Sequence, residues 1–136
     1  MNTAQATGLP LEGVRVIEFT HMVMGPTCGM ILADLGAEVI KVEPPGGDKT
    51  RTLPGLGIGF FRSFNRNKKS VVLDITTEAG RATAAELAAG SDVVLENFRP
   101  GLMQSLGLDY ATLSQRAPGL IYVSHKGFLP GPYEKR

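Results

Sequence analysis

Apolar residues in this chain fall in short, nearly unbroken runs, and helical stretches separate the runs. The VRVIEF run over 14–19 predicts a buried strand, residues 30–35 predict a helix, and EVIKVE over 38–43 predicts a second strand that breaks at Pro44 and Pro45. Residues 46–59 are glycine-rich and aperiodic, and 60–66 predict a short helix. The β-branched run SVVLDI over 70–75 predicts a third strand. A threonine cap with Glu78 in the first turn then opens a helix through Ala89, which Gly90 closes. SDVVLE over 91–96 predicts a fourth strand. Two short helices follow, one over 100–106 ended by Gly107 and one capped by Asp109 and running to about Arg116. LIYVS over 120–124 predicts the fifth strand.

Strand bodies that stay apolar, with helices between them, predict an α/β fold: a Rossmann-like, open, mainly parallel sheet with helices on both faces. Ligands of such sheets sit outside the carboxyl ends of the strands. Those ends here are polar: Thr20 and His21, Glu43, Asp74 and Thr76, Glu96 and Asn97, and His125 and Lys126. The site is expected at that rim.

The turn after the first strand, FTHMVMGP over 19–26, lacks the G-x-G-x-x-G that brings a backbone onto a pyrophosphate. Glu43 stands where a dinucleotide fold places its ribose-binding acid, but with only Gly25 and Gly29 before it, a solvated strand-end carboxylate is the expectation. Pro26 suits the first position of a helix, whose amino end would face an anion. Cys28 then lies near a helix start, which can lower a thiol pKa, although packing is the commoner role. His21 and His125 are the only imidazoles. Both follow strands, either as structural residues or as a proton-transfer pair, and no metal-ligand spacing surrounds them. No G-x-S-x-G elbow or P-loop is present.

At 136 residues, 43% hydrophobic and 20% charged, the chain suits one compact domain or a piece of a larger one. Residues 1–10 are expected to form a disordered tail, and 11–136 the domain. No apolar run approaches the roughly 20 residues of a membrane helix, and no secretory signal opens the chain, so no membrane partner is expected. A single cysteine suits a reducing compartment, and the expected location is cytoplasmic.

Charge is unevenly spread. Residues 1–48 carry two basic and six acidic groups, 49–73 carry six basic and no acidic groups, and the remainder carry six and seven. The basic segment, beside Phe60, Phe61 and Phe64, reads either as a solvated loop or as a site for a small anionic ligand. A net charge of +1 argues against nucleic acid.

Five ordered blocks resemble the amino-terminal region of family III coenzyme A transferases, a group that includes acyl-CoA racemases. They are LEGVRVIEFT over 11–20, ADLGAEVIKVEPP over 33–45, FNRNKKS over 64–70, ENFRPG over 96–101 and SHKGF over 124–128. The resemblance implies that the Rossmann-like domain binds coenzyme A or acyl-CoA instead of a nicotinamide, without a metal. It implies contacts from His21, Val23 and Met24 in the first turn, and from Leu73, Asp74, Ile75 and Thr76 at the adenosine end. Asn97, Phe98 and Arg99 would line the nucleotide or pantetheine path, with Arg136 as a phosphate contact. Formyl-CoA transferases carry a glutamine where Val23 stands; an arginine common after the Pro-Gly of the fourth block is Ser105 here, and a basic residue found after the second strand in some members is Pro44. These departures argue against formyl-CoA transferase itself and leave the carboxylic acid substrate open.

In that family an aspartate attacks the thioester, and none of Asp34, Asp48, Asp74, Asp92 or Asp109 matches it. No catalytic residue is therefore expected in this chain. The nucleophile is expected beyond residue 136, as are the racemases' proton shuttles. The chain reads as the amino-terminal, CoA-binding portion of an enzyme that pairs acyl-CoA with a carboxylic acid and forms an interlocked homodimer. A racemase fragment and a stand-alone CoA-binding module are the alternatives.

Overall fold

The computed structural model describes residues 8–128 and 131–133. Its elements run β1 (Arg15–Phe19), α1 (Met24–Asp34), β2 (Glu38–Glu43), α2 (Ile58–Phe64), β3 (Lys68–Val72), α3 (Glu78–Ala89), β4 (Val93–Glu96), α4 (Leu102–Ser105), α5 (Tyr110–Leu113) and β5 (Ile121–Ser124). Two 3₁₀ turns, Lys49–Thr52 and Gly55–Gly57, precede α2. The strands form one parallel sheet in the order β3-β2-β1-β4-β5. This is the α/β architecture that the alternation of apolar runs predicts. Gly8 to Pro10 enter a turn in which the Glu12 amide donates to the Leu9 carbonyl at 3.1 Å.

Burial on both faces holds for the central strands. Ile17, Phe19, Val42 and Val94 pack beneath α3 and α5 with Ala84, Ala88, Leu108 and Leu113. Val16, Val39 and Leu95 face α1 with Ala33 and Ala37. The edge strands are different: β3 and β5 contain no fully buried residue.

Several boundaries move, and two of them bear on the strand ends. The third strand covers 68–72 and not 70–75, so Leu73 to Ile75 lie beyond it in the turn to α3. The first helix starts at Met24, six residues before the predicted stretch, and Pro26 is its third residue. A missing N–H is harmless there because the first four helical amides have no carbonyl to bond. Gly25, Gly29 and Ala33 make the buried stripe of this helix, and small side chains at a spacing of four let it lie close on the sheet. A Cβ on Gly25 would stand 2.7 Å from the Thr20 methyl and 2.9 Å from the Asn97 amide carbon. The helix amino end is thereby pressed against the ends of β1 and β4.

Candidate functional site

The carboxyl ends of four strands enclose a cavity of about 480 Å³. Phe19, Thr20, His21 and Met22 come from the end of β1, and Val42 and Pro44 from β2. The following loop adds Asp48, Lys49, Thr50 and Leu53, the turn after β3 adds Leu73 to Thr76, and β4 contributes Phe98. The walls are apolar side chains; cations and hydroxyls are few. Met22 holds a left-handed backbone (φ 66°), which a non-glycine residue adopts at a cost and which recurs where a site dictates the chain path.

Of the expected contacts, His21, Leu73, Asp74, Ile75, Thr76 and Phe98 meet at this cavity. The His21 ring stacks on Phe98, with centroids 5.5 Å apart and planes at 26°. Asn97 stands behind them as a brace: its Oδ1 accepts from the His21 amide at 3.0 Å, and its Nδ2 donates to the His21 carbonyl at 2.8 Å. Val23 and Met24, 36% and 52% exposed, lie on the outer start of α1 and do not line the cavity. Arg99 lines a separate depression of about 240 Å³ with Glu96, Gln104, Lys126 and Phe128. Arg136 lies outside the described residues. His125 is not at the cavity, which leaves the two imidazoles without a shared site there.

The loop contribution, Asp48 to Leu53, falls in an aperiodic stretch, where the only signal for it is the onset of positive charge at Lys49. The Asp74 carboxyl is held below its ordinary pKa by the Thr76 hydroxyl, which donates at 2.5 Å, and by the Thr76 amide at 3.0 Å. It stays an acceptor at neutral pH. The Cys28 thiol is pushed up by burial and then by the Glu18 charge, which agrees with the packing role.

Glu43 departs from its expectation. It is almost wholly buried, not solvated. Arg51 donates to both its oxygens at 2.7 and 2.6 Å, the Asp48 amide adds a bond at 2.8 Å, and Ser70 adds one at 2.7 Å. Burial by itself would raise its pKa; these donors outweigh it and hold the carboxyl at about 2, from 4.5. A carboxyl depressed on folding stabilises fully above its unfolded value and loses that contribution as pH falls through the folded one. Stability is therefore expected to drop between pH 4.5 and about 2, and Glu43→Gln to flatten that drop in denaturant titrations across the range. An unchanged pH dependence would show that Glu43 carries none of it.

Beneath α1 lies a buried ionic cluster. Parallel register sets Glu18 opposite Lys41 on the α1 face, and Lys68 joins from β3, opposite Val39. Lys68 Nζ donates to the Glu18 oxygens at 2.8 and 3.0 Å, to the Pro26 carbonyl at 2.8 Å and to Asn65 Oδ1 at 3.2 Å. Lys41 Nζ donates to the Thr20 carbonyl at 2.7 Å and stands 3.1 Å from Asp48 Oδ2 and 3.5 Å from Glu18 Oε1. Much of the basic segment's charge is thus neutralised by the chain itself, since Arg51 pairs with Glu43, Arg66 with Asp34 and Lys69 with Glu38. Lys49 is left at the cavity.

A parallel sheet ordered 3-2-1-4-5, with an apolar-walled cavity over the strand ends, defines a Rossmann-like α/β domain. The model of CoA-transferase family III matches residues 11–136, and the chain belongs to that family. It is 44% identical over 129 residues to formyl-CoA:oxalate CoA-transferase from Bradyrhizobium sp. strain ORS 278, covering 91% of this chain and 30% of that protein. It is 50% identical over 119 residues to the probable fatty acyl-CoA transferase Rv3272 of Mycobacterium tuberculosis, covering 83% and 30%. A crystal structure of Rv3272 superposes with a TM-score of 0.89 at 47% identity, covering 94% of this chain and 36% of the other. A CaiB/BaiF family protein from Brucella suis gives 0.87 at 44%, covering 94% and 36%. The chain spans about 30% of the length of the curated relatives it matches. Among the described residues, no helix is long and apolar enough to cross a membrane.

Proposed function

We propose that this chain is the coenzyme A-binding part of an enzyme that moves CoA between an acyl-CoA and a carboxylic acid. The observation that carries the reading is the cavity over β1 to β4, whose walls suit a flat base and whose polar groups suit what is attached to one. Leu73, Ile75 and Phe98 offer apolar surface to adenine, Asp74 and Thr76 offer acceptors to ribose hydroxyls, and Lys49 offers a cation to phosphate. His21, Val23, Met24, Asn97 and Arg99 then follow the path of the pantetheine arm, with Asn97 acting through the brace on His21.

The reaction needs a carboxylate nucleophile, supplied by the part of the enzyme that relatives carry outside the matched share. An aspartate oxygen attacks the thioester carbonyl, the C–S bond breaks, and CoA departs as thiolate, leaving an aspartyl–acyl mixed anhydride. The thiolate attacks the aspartyl carbonyl and frees the donor acid; the acceptor carboxylate reverses the sequence and restores the aspartate. This chain's share is to hold the carrier so that its sulfur stays within reach between steps. Relatives named for formyl and for fatty acyl groups leave the acyl group open. A homodimeric, cytoplasmic enzyme without a metal completes the reading.

Calorimetric titration of the chain with free CoA tests it. Saturable binding is expected, weakened roughly tenfold by Phe98→Ala, since stacking on a base is worth about 1–3 kcal/mol. No saturable heat at millimolar CoA, or an unchanged affinity in the variant, would remove the cavity as the carrier site.

A further inference from the structure

We infer that Lys41 and Asp48 are positioning residues: a buried ion pair that sets the separation of the two facing walls of the cavity. The inference rests on the CoA-binding reading and deepens it. One wall is the end of β1, where the chain turns through Thr20, His21 and Met22. The facing wall is the loop at Asp48 to Leu53. Neither wall is a strand, so neither is placed by a sheet ladder.

Lys41 joins them. It sits on β2 between the two, 1% exposed, with its ammonium 2.7 Å from the Thr20 carbonyl and 3.1 Å from Asp48 Oδ2. Asp48 in turn organises its own loop: Oδ1 accepts from the Thr50 amide at 2.9 Å and from the Thr50 hydroxyl at 2.8 Å. Thr20, Asp48 and Thr50 are each at least nine-tenths buried and each line the cavity. The Glu18 carboxylate, 3.5 Å from the ammonium and itself neutralised by Lys68, links the pair to that second lysine. A buried ion pair with such partners is a poor source of stability, because desolvation offsets its attraction; its use lies in geometry. Lysine suits this role because its flexible stem crosses from the strand and three donors radiate from one point.

Lys41→Met alone leaves Asp48 buried and unpaired, so its failure to fold would say little. The charge-balanced double variant, Lys41→Met with Asp48→Asn, decides the matter. Two readouts are made on the whole chain. In hydrogen exchange without ligand, the double variant is expected to lose protection at the amides of Thr50 and Arg51 and of His21, while β4 and β5 keep theirs. In calorimetry it is expected to bind CoA roughly tenfold more weakly, as loosely supported sites do. Wild-type exchange at those amides, or wild-type CoA affinity in the double variant, overturns the inference. If the unmodified chain does not bind CoA, the functional reading falls, and the exchange measurement alone then supports or rejects the role of the pair.

Discussion

Gly80→Ala is expected to destabilise this chain by about 3 kcal/mol and to weaken CoA binding with it. Helix propensity predicts the opposite sign, because alanine gains about 1 kcal/mol over glycine inside a helix. Gly80 is the third residue of α3, where its amide donates to the Thr77 cap at 3.1 Å. A Cβ there would stand 1.9 Å from the Asp74 carbonyl oxygen and 2.5 Å from its carbon. Those are backbone atoms, which no rotamer change moves aside. Either α3 lifts from the sheet and draws Ala84 and Ala88 out of the core, or the Leu73–Thr76 wall of the cavity shifts. Urea denaturation and calorimetry on one sample read both effects. A variant of wild-type stability would mean that α3 does not bear on Asp74 so closely.

The second large effect is at Lys68. Replacing it with methionine leaves Glu18 buried with its main partner gone, and losing one member of a buried pair costs about 3–5 kcal/mol. Lys68 holds four acceptors from β1, α1 and the turn before β3, so its loss also frees the start of α1. Gly29 shows how closely the helix covers this cluster, since a Cβ there would stand 1.8 Å from Glu18 Oε2. Pairing Lys68→Met with Glu18→Gln removes the stranded charge and is expected to recover more than half of the loss by denaturant midpoint. No recovery in the double variant would show that the cost arises from packing and not from charge.

The parallel α/β sheet is readable because β1, β2 and β4 are mainly apolar where both faces are covered. The same rule hides the start of β3. Lys68 and Lys69 look like loop residues, yet Lys68 is polar because it serves as counter-ion to Glu18, and Lys69 because it pairs with Glu38. Gly25 and Pro26 similarly suggest a turn where α1 has already begun. Glycine is needed there for close approach to Thr20 and Asn97, a requirement set by tertiary packing that local pattern does not carry. Glu43 reads as solvated for a related reason: its partner Arg51 lies eight residues on, across a loop without period. The Asp48 to Leu53 wall is invisible from sequence on the same grounds.

With β1 at the centre of the sheet, the chain completes one wing, β1 to β3, before α3 carries it back to lay down the other. Every group around the cavity except Phe98 belongs to the first wing. The lining of this cavity can thus change by substitution within one continuous stretch of polypeptide, with a single aromatic ring supplied from the other wing.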